Sequence, residues 1–196
     1  MKKTEQIKSL VITGGPCGGK TTLIGILRGI YSDLAVFVPE AATLLLSGGW
    51  PSPTDDCPRW KETFQAAVIA VQLNLEEAYR RIAKQQGKCL MVCDRGLMDS
   101  EAYLRNACRK NNIDSQQALA RYDRVIHLES LATAWPSEYE KKVASNPCRY
   151  ENLRQARVLE IATRRAWAKH SHHRIVLHGT DILDVVTKTM VELMKS

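Results

Sequence analysis

The sequence predicts an α/β fold, a single domain in which a five-stranded parallel sheet carries helices on both faces. Short apolar, β-branched runs alternate with helix-compatible segments along the whole chain, the pattern of strands joined by helical crossovers. The first run passes directly into Gly14-Gly15-Pro16-Cys17-Gly18-Gly19-Lys20-Thr21, a glycine-rich turn where a parallel strand hands over to a helix. At 196 residues and 44% hydrophobic content, the chain suits one well-packed domain and is short for two.

Each element has its own signal. Ile7 to Thr13 is apolar and β-branched, as a strand buried on both faces should be, and Thr22 to Arg28 is helix-compatible. Leu34 to Val38 reads as a second strand stopped by Pro39, Glu40 to Ser47 as a short helix, and 48–53 as a loop rich in Gly and Pro. A long helix follows, with Trp60, Phe64, Val68, Val71, Leu75, Tyr79 and Ile82 spaced by three and four as its inner stripe, ending at Gly87. Cys89 to Cys93 is the third strand, closed by Asp94-Arg95-Gly96, and helical material from Asp99 to Ala120 leads to a fourth, Arg124 to Leu128. Residues 131–150 hold turn formers with Pro136 and Pro147, and Glu151 to His170 reads as a helix. On it Arg154, Arg157, Arg164 and Arg165 share an arc of about 100°, while Leu153, Ala156, Leu159, Ala162, Ala166 and Trp167 fill most of the other side. Arg174 to Leu177 is the fifth strand, and Asp181 caps the last helix. Segment 131–165 is expected to form a basic lid.

The glycine-rich turn fills the phosphate-loop pattern of Gly, four residues, Gly, Lys and then Ser or Thr. Its glycines let the backbone aim successive N–H groups at phosphate oxygens, and the following helix adds its amino terminus. Lys20 sets a positive charge against the β- and γ-phosphates, and the Thr21 hydroxyl can ligate Mg²⁺. Gly14 through Thr22, including Pro16, Cys17, Gly18 and Gly19, are therefore the expected nucleotide contacts. In such sheets ligands sit at the carboxyl ends of the strands. Asp94 stands there as an acidic residue able to orient Mg²⁺, and Arg95 beside it can clamp a phosphate or a substrate. Glu40, just past the second strand, can position an attacking hydroxyl and take its proton. Arg149, Arg154 and Arg157 can neutralise charge on the transferring group. Gln65 and Gln72 could read a base or sugar edge. Cys17 is a candidate exposed thiol, and His170, His172 and His173 read as exposed residues near a helix end.

The net charge of +7 and pI near 9.2 suit an anionic partner. Much of the excess is local, with Arg149, Arg154, Arg157, Arg164, Arg165, Lys169 and Arg174 opposed nearby only by Glu151 and Glu160. The six cysteines show no CxxC pairing and read as reduced thiols rather than a zinc site. The apolar stretch after Met1-Lys2-Lys3 is too short for a signal peptide, and no stretch approaches the length of a membrane span. A cytoplasmic location is expected.

The motifs Gly-Gly-Pro-Cys-Gly-Gly-Lys-Thr-Thr, Val-Pro-Glu-Ala-Ala-Thr, Cys-Asp-Arg-Gly and Asn-Pro-Cys-Arg-Tyr-Glu together resemble a known family. Nearly the whole chain is similar to the P-loop domain shared by the ribosylnicotinamide-kinase part of bacterial NadR and by eukaryotic Ttd-type translocation-defect proteins, AAA-like ATPases. The resemblance implies a nucleotide-kinase-like fold with strand order 2-3-1-4-5. It implies phosphate contacts at Gly14 to Thr22, magnesium at Thr21 and Asp94, and a substrate-side carboxylate at Glu40. The chain shows no stretch like the adenylyltransferase domain of NadR, so no NAD-pathway role is expected. It also has no Asn-Lys-x-Asp motif, which favours ATP while leaving GTP open.

Three functional classes follow. The leading one is an ATP- and Mg²⁺-dependent phosphotransferase acting on a small nucleoside- or nucleotide-like acceptor. The second is a nucleotide-dependent binding module, switched by ATP or GTP, that engages an acidic lipid or a protein. The third is a nucleic-acid end kinase or NTPase, whose binding would fall steeply with salt.

Overall fold

The computed structural model describes residues 6–51, 58–144 and 151–195. In chain order it contains β1 (Lys8–Gly14), α1 (Lys20–Tyr31), β2 (Ala35–Val38), α2 (Ala41–Ser47), α3 (Pro58–Gln85) and β3 (Leu90–Asp94). A single 3-10 turn at Leu97–Asp99 then opens α4 (Ser100–Tyr103), α5 (Ala107–Lys110) and α6 (Ser115–Ala120). The chain continues through β4 (Arg124–Leu128), α7 (Leu131–Ala134), α8 (Pro136–Ala144), α9 (Leu153–Trp167), β5 (His173–Val176) and α10 (Ile182–Lys195). All five strands pair in parallel in the order β2-β3-β1-β4-β5, as the resemblance implied.

Helices cover both faces of the sheet, which is why its central strands are apolar throughout rather than alternating. On one face Leu10, Ile12, Leu90, Val92, Ile126 and Leu128 pack against Leu23 and Leu27 of α1 and Val186 and Met190 of α10. On the other, Val11, Met91, Cys93 and Val125 meet Ile69, Ala107, Ala118 and Trp167 from α3, α5, α6 and α9.

Four segments differ from the sequence expectation. The helical stretch from Asp99 to Ala120 is broken into short helices by Asn106 and Asn112, whose φ of 60° and 58° lie in the left-handed region that asparagine tolerates. Residues 131–144, expected as turns, fold instead into α7 and α8. The Ser130 hydroxyl caps the first by accepting from the Ala132 amide, and Pro136 opens the second, where a missing N–H leaves no bond unmade. Tyr139 anchors them on Leu131, Ala132 and Ala156.

Along α3 the buried face lies about one residue round from the expected stripe. Gln65, Ile69, Gln72, Glu76 and Ala83 are buried with Phe64, whereas Trp60, Val68, Val71, Leu75 and Tyr79 are half-buried and Ile82 is exposed. Buried polar residues carry no hydrophobic periodicity, and three of these five are polar. Two of the three histidines near the end of α9 also lie deeper than expected: His170 is buried, with Nε2 2.8 Å from the Tyr122 carbonyl oxygen, and His173 is half-buried, while His172 is exposed as expected. The expected N-cap is present, since the Asp181 carboxylate accepts from the Asp184 amide at 3.0 Å. Among the described residues no helix is long and apolar enough to cross a membrane.

Candidate functional site

Strand pairing builds the site. On the sheet face covered by α3 and α9, Val11 lies in register with Cys93 and Val125; two residues on, Thr13 is in register with His127. That face therefore changes from apolar to polar at the carboxyl ends of its strands, with Arg95 two residues beyond Cys93. Alternation puts Asp94 on the opposite face, with Val92 and beneath α1.

The glycine-rich turn bridges β1 and α1 at this end of the sheet. Gly14 has φ +135°, and a Cβ there would stand 2.1 Å from the Leu128 carbonyl oxygen, so no other residue fits. Gly19, with φ 84°, precedes α1 and supplies no side-chain cap, and the first turn of the helix holds no acid. The amides at this amino terminus are thus left for an anion. Thr21 and Thr22 are exposed on that turn. Lys20 is only 9% exposed, and its ammonium donates to the Gly14 and Gly15 carbonyls at 2.9 and 2.7 Å. Burial, then the neighbouring Arg95, pulls its pKa down to about 8 against the opposing pull of Glu40, Asp94 and Asp99.

Arg95 holds the centre. Its backbone is left-handed at φ 68°, its Nε donates to Glu40 Oε1 at 2.5 Å, and its Nη1 donates to Asp99 Oδ1 at 2.9 Å and the Gly14 carbonyl at 3.2 Å. The guanidinium also lies 5.9 Å from the Tyr103 ring centre. Burial pushes the Glu40 carboxyl up, but Arg95, the Thr43 hydroxyl at 2.7 Å and Lys20 outweigh it and hold the group below the usual range. Asp94 behaves oppositely. Burial and then Glu40 raise it to about 6, only partly offset by Arg95 and Lys20. Among the described residues its Oδ1 is buried without a hydrogen-bond partner. An unpaired buried carboxylate oxygen at a strand end, near the first turn carrying Thr21, fits a cation.

Lys20, Glu40, Asp94 and Arg95, picked out separately in the sequence, therefore converge. The arginines are more dispersed. Arg149 lies outside the described residues; Arg154 and Arg165 are exposed; Arg157 Nε donates to the Ala132 carbonyl at 2.8 Å. Arg164 Nη2 donates to Glu160 at 3.2 Å. The expected lid helix is rooted by its inner face, where Ala156, Glu160, Thr163 and Trp167 are buried. Gln72 Nε2 donates to Glu76 at 2.9 Å and more weakly to the Arg95 carbonyl at 3.4 Å, whereas buried Gln65 leaves Oε1 without a partner among the described residues.

Among the carboxylates that sequence reasoning missed, two touch Arg95 or the phosphate loop. Asp99 accepts from Thr13 Oγ1 (2.5 Å), Arg95 Nη1 (2.9 Å), Trp167 Nε1 (3.0 Å) and the Gly96 amide (3.1 Å). Arg95 lies outside any helix, so the spacing of Arg95 and Asp99 carries no signal in the sequence. Glu160 accepts from the Gly15 amide at 2.8 Å and lies 2.8 Å from His127 Nε2. It is the one acid on the arginine-rich helix, and its placement on the inner face is the clue.

The model of the AAA domain family matches residues 9–184, from β1 into α10. The chain belongs to the AAA domain family. No curated protein matches it closely enough to carry an argument. As an AAA domain it is a P-loop nucleotide-binding domain, and the loop from Gly14 to Thr21, strand end at Asp94 and buried Lys20 all fall within the matched segment.

Proposed function

We propose that the chain is a Mg²⁺-dependent phosphotransferase, moving the γ-phosphoryl group of ATP onto a hydroxyl of a small nucleoside- or nucleotide-like acceptor, as its resemblance to the NadR kinase part implies. One observation carries this reading: the Glu40–Arg95 pair beside Lys20. A plain nucleotide switch needs only loop, lysine and metal; a carboxylate kept ionised and oriented by a guanidinium beside the phosphate site can position an acceptor hydroxyl. Lys20 and the loop amides would hold the β- and γ-phosphates. Thr21 and Asp94 would hold Mg²⁺, which neutralises charge on the phosphate oxygens when bound. Glu40 would orient the acceptor hydroxyl and take its proton as its oxygen bonds to the γ-phosphorus and the bond to the β-phosphate oxygen breaks. Arg95, with Arg149, Arg154 and Arg157 of a lid over 131–165, would stabilise charge on the moving group. Gln65, with its open Oε1, would line the acceptor side.

A panel of nucleosides and nucleotides, offered with MgATP and with MgGTP, tests the reading through acceptor-dependent ADP or GDP release. Release should vanish in Lys20→Ala and fall roughly 10²-fold or more in Glu40→Gln. Tight nucleotide binding with slow hydrolysis that no acceptor stimulates would instead favour an ATP- or GTP-dependent module for an acidic lipid or protein. The net charge of +7 and the exposed Arg154 and Arg165 support that second reading.

A further inference from the structure

The phosphate-loop pattern leaves its second position open, yet this chain places glycine there. Gly15 lies outside the left-handed region, so backbone freedom is not the reason. Space is: a Cβ would stand 2.6 Å from Glu160 Oε2 and 3.1 Å from both the Glu160 and Ser130 Cβ atoms. With only hydrogen in the way, Glu160 Oε2 closes to 2.8 Å from the Gly15 nitrogen and accepts a hydrogen bond from its N–H.

Glu160 is itself fixed. It is 1% exposed, and its Oε1 meets His127 Nε2 at 2.8 Å and Arg164 Nη2 at 3.2 Å. Burial pushes its carboxyl up, but His127, the Gly15 amide and Arg164 hold it below the usual range. The ionised carboxylate only accepts, so the facing Nε2 of His127 carries the proton. His127 is placed by β4, in register with Thr13 of β1, so the carboxylate is referenced to the same strand that feeds the loop. One residue on, the Ser130 hydroxyl donates to the Pro16 carbonyl at 2.5 Å.

We propose that Glu160 is a positioning residue for the phosphate loop, presetting the Gly15 backbone so that a nucleotide meets a loop already folded. Gly15 is tied at both ends, its N–H to Glu160 and its carbonyl to the Lys20 ammonium. When a polyphosphate draws Lys20 away, Glu160 is the tie that remains. Without it, the backbone freedom of one residue must be lost on binding, equivalent to roughly five- to thirty-fold in affinity. Ground and transition states lose equally, so the effect belongs in KM and not in kcat. The inference requires nucleotide binding by this AAA domain but not phosphoryl transfer, so its failure leaves the acceptor screen untouched.

The test is MgATP affinity by calorimetry and the KM and kcat of ATP turnover, on the full chain. Glu160→Ala should weaken binding about tenfold, ~1.4 kcal/mol, with kcat at saturation within twofold of wild type. Glu160→Gln keeps an oxygen for the Gly15 amide when the His127 ring proton moves to Nδ1 so that Nε2 can accept from the new amide nitrogen, and should lose less affinity than Glu160→Ala. Thr163→Ala, buried on the same helix face, controls for packing loss and should leave affinity unchanged. Wild-type affinity in a folded Glu160→Ala would overturn the proposal, as would affinity losses in Glu160→Ala and Thr163→Ala that simply track their melting temperatures. If Glu160→Ala does not fold, amide exchange in the nucleotide-free wild type decides. The Gly15 N–H should be protected at least 100-fold, and exchange at the rate of an open loop would refute the role.

Discussion

Replacing Asp99 with alanine would leave four hydrogen-bond donors facing a hole. The Thr13 hydroxyl, Arg95 guanidinium, Gly96 amide and Trp167 indole N–H all end on this one buried carboxylate. Breaking a buried ion pair by removing one partner typically costs about 3–5 kcal/mol. Arg95 keeps Glu40 as a counter-ion, which places its share at the lower end. The stranded Gly96 and Trp167 donors add at least about 1 kcal/mol between them. The expected loss is about 4 kcal/mol, a large part of the roughly 5–15 kcal/mol that holds a domain together. For a chain of this size each kcal/mol moves the melting temperature by about 2–4 °C, so a fall of about 8–16 °C should appear by calorimetry or circular dichroism. Asparagine should recover less than half, because its amide nitrogen must face donors on one side or the other. Both variants melting within 2 °C of wild type would show that the network does not hold Arg95 as argued.

Lys20→Ala should abolish measurable MgATP binding in calorimetry while leaving the fold intact, since among the described residues the buried ammonium donates to the Gly14 and Gly15 carbonyls and braces no other element. MgATP affinity should peak between about pH 6 and 8, because Asp94 must be ionised to hold the metal and Lys20 protonated to hold phosphate; a flat profile from pH 5 to 9 would refute this. The folded protein holds an extra proton on Asp94 between 3.8 and about 6, so this group's contribution to stability falls as pH rises through that window. Asp94→Asn should therefore melt higher than wild type at pH 8 without nucleotide, while losing the Mg²⁺ dependence of binding.

The residues legible in the sequence announce themselves locally. A run such as Leu10-Val11-Ile12 is a strand by its own composition, and the loop from Gly14 to Thr21 is a phosphate site by its own spacing. Glu40, Asp94 and Arg95 were legible because each sits at or just past the carboxyl end of a strand, and the carboxyl ends of parallel strands meet. Asp99 and Glu160 were not, because their partners come from register and from distant segments: Glu160 meets Gly15 across 145 positions. Nor was the buried face of α3, where Glu76 accepts from Gln72, Tyr122 and Arg121. A polar residue that is buried because it is satisfied looks, in the sequence, like one that is exposed.

The adjacency of Asp94 and Arg95 explains how one strand end serves two kinds of chemistry. Neighbouring residues on a strand point to opposite faces. Asp94 stands on the face beneath α1, the helix that begins with Lys20 and Thr21, where phosphate and metal belong. Arg95 emerges on the other side, where Asp99, Trp167 and α9 lie, and turns back through Glu40 and the Gly14 carbonyl. The left-handed backbone at Arg95 lets its side chain make that return instead of following the strand outward. A slip of one residue in β3 would exchange the two, setting a guanidinium at the cation position and a carboxylate against Glu40 and Asp99. The register of β1 with β3 is therefore as much a part of this site as its charged groups.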